Sequence, residues 1–233
     1  MQAEVWVIRV DADAIDADRL AADLSEPERQ RARQFRFDRD RRQFVAAHWA
    51  LQQLLARHAG TPTPLLQAVA APGRKPAPLA LPGRRWLHHS LSHAGDWVAV
   101  ALSHSAAVGV DIEPVRELGE LDALARSAFG AAERRAWDQV EHARRREAFF
   151  VGWTRKEAWA KATGAGIATA DPGAQVSFDL DDPVPLRTAQ PVTLRSLRWC
   201  GSALVSAAAL QCDVQFLWRA AALADLAPAA APH

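Results

Sequence analysis

Two kinds of residue pattern along the chain predict an α+β protein. Residues 4–10, EVWVIRV, are rich in β-branched side chains and predict a first strand. Between residues 44 and 58 the larger side chains recur three or four positions apart, which predicts a helix. Gly60 and Pro62 follow this segment and predict its end. The first part of the chain is therefore expected to pair a strand with a long helix.

The second part of the chain predicts the same mixture. Helices are expected at residues 121–129 and 132–146, and a longer one at residues 149–164. Residues 61–85 are rich in proline and glycine and predict a loop with short extended pieces. The remaining strands are predicted at residues 97–102, 106–112, 176–180, 192–199, 201–210 and 214–218.

The two long helical segments resemble each other. RRQFVAAHWALQQLLARHAG lies without a gap on RREAFFVGWTRKEAWAKATG, and Gln53 then falls on Glu157. A true repeat predicts two halves, residues 1–105 and 106–219, related by a pseudo-twofold axis and followed by a flexible tail at 220–233. Similar helices in a chain rich in alanine and arginine would produce the same alignment, so both explanations stay open at this point.

The segment FFVGWTRKEAWAKATGAGI, residues 149–167, places a carboxylate on an apolar helix face. Trp153, Glu157 and Lys161 are four residues apart in turn, so they share one face. A carboxylate there requires a cation, either on the protein or as a bound metal. The simpler alternative is a helix salt bridge between Glu157 and Lys161, which would contribute a few tenths of a kcal/mol.

A second acidic motif, GVDIEPVR, lies upstream at the end of a predicted strand. Asp111 and Glu113 alternate along it and so point to the same side. Pro114 then ends the strand. Adjacent carboxylates repel unless they are solvated or bridged by a hard cation, and oxygen ligands of this kind suit Mg²⁺. The alternative is a solvated acidic turn.

GVDIE followed by WTRKEAWAK resembles the paired signature of the 4′-phosphopantetheinyl transferases, and most closely the surfactin-synthetase-activating (Sfp-like) type, whose pattern is (V/I)G(V/I)D followed by (F/W)xxKEAxxK. The resemblance implies Mg²⁺-dependent transfer of the 4′-phosphopantetheine arm of coenzyme A to a carrier-protein serine, with release of 3′,5′-ADP. It also implies two similar α+β halves, each a small, mostly antiparallel sheet packed with a long helix. The active site would lie in the cleft between them.

The resemblance assigns roles to the residues of the two motifs. Asp111, Glu113 and Glu157 would bind Mg²⁺, which bridges the diphosphate of coenzyme A. Glu157 would also accept the proton of the attacking serine, either directly or through metal-bound water, and Lys161 would stabilise charge on the phosphoryl oxygens and the leaving group. Lys156 projects about 100° away from Glu157 around the helix and is expected to contact a phosphate or the carrier.

Two further motifs support coenzyme A binding. GRKP resembles the family loop whose lysine meets a phosphate, which assigns Lys75. SLSHAGDW resembles the (N/S)xSH(S/A) element, which assigns Ser92 and His93 to the phosphates. Without that context, Lys75 would be an ordinary solvent-facing charge and His93 a structural histidine.

An arginine-rich segment precedes the first long helix. LSEPER predicts a helix start, with Ser25 as its cap and Glu28 three residues later. Arg29, Arg33 and Arg42 are candidates for the adenine and 3′-phosphate contacts of coenzyme A. The segment would otherwise form a solvated face, or meet an acidic carrier protein.

Composition narrows the possible partners and compartments. The net charge is +1, and there is neither a membrane-length apolar run nor a signal peptide, which predicts no nucleic-acid or membrane partner. Two cysteines are too few for a disulfide framework, so a cytoplasmic protein is expected, and the resemblance to the transferases implies a monomer. Two of the three lysines lie in WTRKEAWAK, although arginine dominates elsewhere. The alternatives are another Mg²⁺-dependent phosphodiester-cleaving enzyme and a non-catalytic module that uses the arginines to bind a carrier protein or a nucleic acid.

Overall fold

Strands and helices of the computed structural model follow one another in an α+β arrangement, and the structure describes residues 1–60, 75–83, 85–166 and 174–227. The strands are β1 (Gln2–Arg9), β2 (Leu79–Leu81), β3 (Arg85–Ala94), β4 (Trp97–Ser103), β5 (Val108–Pro114), β6 (Gln175–Val176), β7 (Leu186–Arg187), β8 (Thr193–Trp199), β9 (Ala203–Ala209) and β10 (Gln215–Ala222). The helices are α1 (Ala17–Ala21), α2 (Glu26–Arg33), α3 (Asp38–Ala59), α4 (Leu121–Ala128), α5 (Ala131–Asp138) and α6 (Arg145–Thr163).

Two of the sheets have a common strand order. The larger runs β10-β1-β4-β3-β2, and all its pairs are antiparallel except β1 with β10. The smaller runs β5-β9-β8 and is antiparallel throughout. In the larger sheet, β1 precedes the long helix α3 and pairs with β4, the second strand of the hairpin that follows α3. In the smaller sheet, β5 precedes the long helix α6 and pairs with β9, the second strand of the hairpin that follows α6.

The core lies between the two sheets and under the two long helices. Val5 and Ala101 of the larger sheet share one buried cluster with Val110 and Val205 of the smaller sheet. The other face of the larger sheet packs against α3, and the other face of the smaller sheet packs against α6. The site motifs are thus carried on a strand and a helix that pack against each other.

Local signals set the ends of the helices as predicted. Ser25 and Glu28 form a reciprocal capping box at the start of α2. Gly60 and Gly164 end α3 and α6 with φ angles of 65° and 75°, which a glycine adopts without strain. The helix predicted at residues 132–146 is confirmed only in its first half, because α5 ends at Asp138 and a 3-10 turn precedes α6.

Two other predicted elements differ from the structure. Of the strand predicted at 176–180, only Val176 pairs with β7, because the carbonyl groups of Ser177, Asp179 and Leu180 accept hydrogen bonds from a buried arginine. At the predicted tail, β10 continues to Ala222 and a 3-10 turn ends with a buried Leu226.

The rest of the predicted tail and much of the predicted loop at residues 61–85 lie outside the described residues, and the division into halves at residue 105 stays a prediction. None of the helices in the described ranges is both long and apolar enough to cross a membrane.

Candidate active site

A glycine sets the distance between β5 and α6. A Cβ atom added to Gly109 would lie 2.0 Å from the carbonyl oxygen of Ala158 and 2.4 Å from the backbone nitrogen of Ala162. Real Cβ atoms do not approach other atoms so closely, so only glycine allows this strand to lie directly on the helix backbone. The contact brings the acidic end of β5 beside the part of α6 that carries Glu157 and Lys161.

Asp111, Lys161 and Ser92 form a hydrogen-bonded triangle where β5 meets α6. Nζ of Lys161 donates to Oδ1 of Asp111 at 2.7 Å and to Oγ of Ser92 at 3.0 Å, and Ser92 Oγ donates to the same carboxylate oxygen at 2.7 Å. Lys161 therefore pairs with an acid 50 residues away, not with Glu157 on its own helix.

The second oxygen of Asp111 is unusual. The residue is only 4% exposed, and Oδ2 has no hydrogen-bond partner among the described residues. Burying a charged oxygen without a partner is costly. A cation beside Oδ2 would remove that cost.

Glu113 and Glu157 lie within the electrostatic influence of Asp111. Burial raises the pKa of Glu113, the charge of Asp111 raises it further, and Arg116, whose Nη1 is 3.4 Å from Oε2, opposes the shift. Burial and the same Asp111 charge raise the pKa of Glu157, while Lys161 opposes. The charge of Asp111 therefore disfavours the ionised form of both glutamates.

The chemistry of this group suits a divalent cation, although its acids do not surround a common point. In the part of the chain that the structure describes, no three acidic, histidine or cysteine side chains are close enough together to hold a metal ion. Lys161 neutralises Asp111 instead. Carboxylates with raised pKa values and an unpartnered Oδ2 nevertheless fit a hard cation such as Mg²⁺, because the ion would offset both repulsion and burial. Ligation by all three acids stays a prediction.

Serines of β3 connect this strand to β5. Ser92 belongs to the triangle, and Oγ of Ser90 accepts a hydrogen bond of 3.1 Å from the backbone N–H of Val110. Burial, together with positive charges that include Lys161, lowers the pKa of His93 to about 4. The His93 imidazole is therefore neutral near pH 7, so it offers a phosphate a hydrogen bond but no charge.

Lys75 is anchored where β5 begins and α6 ends. Its Nζ donates a hydrogen bond of 3.1 Å to the carbonyl oxygen of Val108, and a second, short one to that of Ala162. Its stem packs on Gly164, where an added Cβ would lie 3.1 Å from the lysine Cβ. Burial lowers the pKa of Lys75 to about 8. Its assignment to a phosphate of coenzyme A stays a prediction.

Lys156 points toward α5. Its Nζ lies 2.7 Å from Oε2 of Glu133, a side chain that is itself buried. Glu133 also accepts hydrogen bonds from the backbone N–H groups of Gly130 and Val176. The Lys156 ammonium lies 5.7 Å from the centroid of the Phe129 ring. The lysine thus completes a partly buried polar cluster, and its contact with phosphate or carrier stays a prediction.

The three candidate arginines of the first part of the chain each pair with a nearby acid. Nε of Arg42 lies 2.6 Å from Oδ2 of Asp38. Arg29 and Arg33 both pair with Glu26 on α2, at 2.9 Å and 3.8 Å. These are partly exposed surface pairs, which exchange partners at little cost. Their assignment to coenzyme A is untested by this geometry.

Arg155 is a residue whose importance the sequence interpretation missed. It is 1% exposed, and Nη1 donates hydrogen bonds of 2.8 Å to the carbonyl oxygens of Ser177 and Asp179, while Nε donates to Ser196 at 3.0 Å. Burial lowers its pKa to about 10. Helical spacing from the buried Val151 would have placed it on the inner face.

A wide groove lies elsewhere in the described part of the structure. It has a volume of about 700 Å³, contains none of the predicted site residues, and is lined by α5, α6 and the segment around β6 and β7. Its charged walls include Arg144, Glu147, Asp181, Arg187 and Arg198. Size alone therefore does not mark the site in this protein.

One family model and several curated relatives indicate the same protein family. Residues 107–213 match the family model of the 4′-phosphopantetheinyl transferase superfamily. A 4′-phosphopantetheinyl transferase of Nostoc sp. is 29% identical over 196 residues, covering 84% of this chain and 82% of the relative. A Synechocystis sp. protein, provisionally named as a 4′-phosphopantetheinyl transferase, is 30% identical over 167 residues, covering 72% and 67%. A phosphopantetheinyl transferase of Thraustochytrium sp. is 32% identical over 201 residues, covering 77% and 66%.

Proposed function

Because this chain belongs to the 4′-phosphopantetheinyl transferase superfamily, we propose that it transfers the 4′-phosphopantetheine arm of coenzyme A to a serine of an acyl or peptidyl carrier protein. One observation carries the proposal: Asp111 of GVDIE and Lys161 of WTRKEAWAK lie 2.7 Å apart although 50 residues separate them. The two motifs that the resemblance joins are thus neighbours in space. The order GVDIE then WTRKEAWAK supports the surfactin-synthetase-activating type.

The chain's own residues account for the reaction. Asp111, Glu113 and Glu157 would hold Mg²⁺, which would neutralise charge on the diphosphate of coenzyme A. The carrier serine oxygen attacks the β-phosphorus, and the bond to 3′,5′-ADP breaks. Glu157 accepts the serine proton. Lys161 stabilises the charge that grows on the phosphoryl oxygens.

The partners follow from the same proposal. Ser92 and neutral His93 hold phosphate oxygens by hydrogen bonds, and Lys75, Lys156 and Arg42 add positive charge around the nucleotide. An acidic carrier protein would be attracted to the arginine-rich surface of α2 and the start of α3. The enzyme would act as a monomer.

The proposed architecture is two pseudo-twofold-related halves with the active site in the cleft between them. Two features support it. The sheets β10-β1-β4-β3-β2 and β5-β9-β8 have the same order of helix-flanking strands. The long helices α3 and α6 both end at a glycine with positive φ, at the positions that the sequence alignment pairs.

The test is direct transfer. The protein is incubated with coenzyme A, Mg²⁺ and an apo carrier protein, and the intact mass of the carrier is measured. A gain equal to one phosphopantetheine arm, lost when the carrier serine is replaced by alanine, supports the proposal. The absence of that gain with carriers of fatty-acid, polyketide and nonribosomal-peptide type would refute it.

A further inference from the structure

We propose that Lys161 is a built-in counter-ion that occupies Asp111 in the metal-free protein, and that a divalent cation must displace it. This inference rests on the proposed function, in which Asp111 binds the cation and Lys161 acts on the phosphates. It adds an order of events. Metal binding releases the lysine, and only then is its ammonium free for coenzyme A.

The contacts of Asp111 support this placement. Its Oδ1 accepts hydrogen bonds from both Lys161 and Ser92, at 2.7 Å each, while Oδ2 has no partner among the described residues. A carboxylate that is 4% exposed requires neutralisation, and Lys161 supplies it from α6. Asp111 is therefore paired through Oδ1 only.

A carboxylate has two oxygens and can contact two cations, but the two cations then repel each other at close range. An ammonium at 2.7 Å from Oδ1 would repel a divalent ion that binds the same carboxylate. Lys161 can move away from Asp111, because its side chain is 31% exposed and its four-carbon stem is flexible.

Metal affinity in the absence of coenzyme A tests the proposal. Thermal unfolding of the full chain is measured against Mg²⁺ concentration at constant ionic strength, and the apparent Kd follows from the rise in Tm. Titration calorimetry with Mn²⁺ gives a second value. Lys161→Met should bind either ion about tenfold more tightly than wild type, a difference of about 1.4 kcal/mol, because no ammonium competes.

Three further variants separate charge from hydrogen bonding. Lys161→Arg keeps the charge and should stay close to wild type. Lys161→Gln can donate a hydrogen bond without charge, so it should also bind the ions more tightly, and it replaces the methionine variant if that variant does not fold. Ser92→Ala removes a neutral donor to the same oxygen and should alter affinity by a smaller factor.

The outcomes distinguish this inference from the proposed function. Equal or weaker ion binding by Lys161→Met and Lys161→Gln, beside measurable binding by wild type, would overturn the counter-ion role alone. Absence of ion binding in all variants would overturn both the counter-ion role and the metal site, even where the carrier mass assay shows transfer. Tighter binding by both neutral variants supports the inference.

Discussion

At the scale of single residues, one residue of the site packs tightly against a helix, and others carry charges whose burial is unfavourable. Gly109 allows β5 to touch the backbone of α6, and this contact places Asp111 beside Lys161. Glu113 and Glu157 have raised pKa values because burial and a neighbouring carboxylate disfavour their ionised forms. Such groups are stabilised poorly by the protein itself, which is typical of functional sites.

Replacing Gly109 with alanine should separate β5 from α6. The added Cβ would meet backbone atoms, which cannot rotate away, so the free energy of unfolding should fall by at least about 2 kcal/mol. Urea denaturation measures this change in the free energy of unfolding. Gly119→Ala is a matched control, because that exposed glycine has no atom within 4 Å of an added Cβ. Equal stability of the two variants would contradict the packing argument.

Replacing Glu157 with glutamine should stabilise the metal-free protein while reducing transfer. Because burial raises the pKa of Glu157, its ionised form opposes folding at neutral pH, and that penalty disappears as pH falls through the raised pKa and the side chain takes up a proton. The stability gain of Glu157→Gln should therefore be largest near neutral pH and shrink on acidification. Activity should fall by about 10²–10⁴-fold through loss of the base.

Urea denaturation without divalent cations, at a series of pH values, measures the stability gain, and the carrier mass assay measures transfer. The exposed Glu120 provides the control, since Glu120→Gln should change neither. A lower stability of Glu157→Gln at neutral pH would show that the carboxylate is satisfied in the metal-free protein, contrary to the site described above.

At the level of elements, three consecutive residues of α6 interact with three different parts of the protein. Successive helical residues project about 100° apart. Arg155 points inward to the segment after β6, Lys156 reaches Glu133 on α5, and Glu157 lies near Asp111 on β5. The helix therefore fixes the relative position of β5 and the segment around β6 and β7.

Replacing Arg155 with methionine should release the segment after β6. The carbonyl groups of Ser177, Asp179 and Leu180 would lose their donor, so stability should fall by about 3 kcal/mol. Hydrogen exchange followed by mass spectrometry should show the increase in exchange concentrated in that segment. Arg135→Met, at an exposed position on α5, is the matched control. A uniform increase over the whole chain would argue against a local anchoring role.

At the scale of the whole molecule, the end of the chain returns to the sheet in which the chain begins. β10 pairs in parallel with β1, with Val5 opposite Trp218, and the following turn buries Leu226 in the core under α3. The strand therefore completes the larger sheet although it follows the smaller one in sequence.

Ending the chain after Val214 should prevent stable folding. The truncation removes β10 and leaves β1 as an unpaired edge, which promotes aggregation, and it exposes the core that Leu226 covers. Size-exclusion chromatography and circular dichroism would show aggregation and a lost or much lowered Tm. Ending the chain after Ala227 keeps every described contact of β10 and should preserve the Tm. A folded monomer that stops at Val214 would contradict this view of the fold.

The sequence by itself determined the α+β class, the long helices and the residues of the two motifs. These features depend on short-range chemistry: Ser25 and Glu28 cap α2, Gly164 ends α6, and side chains at helical spacing share a face. A family signature is likewise a local pattern of residue types, so GVDIE and WTRKEAWAK pointed to the transferase family before any coordinates.

Only the tertiary structure decided which partners these residues have. The pairing of Lys161 with Asp111, the inward direction of Arg155 and the return of β10 to β1 join residues that are distant in sequence. A local pattern cannot select among several acids for one ammonium, because that choice depends on how strands and helices pack. In this protein Gly109 allows β5 to approach α6 so closely that Asp111, and not another acid, pairs with Lys161.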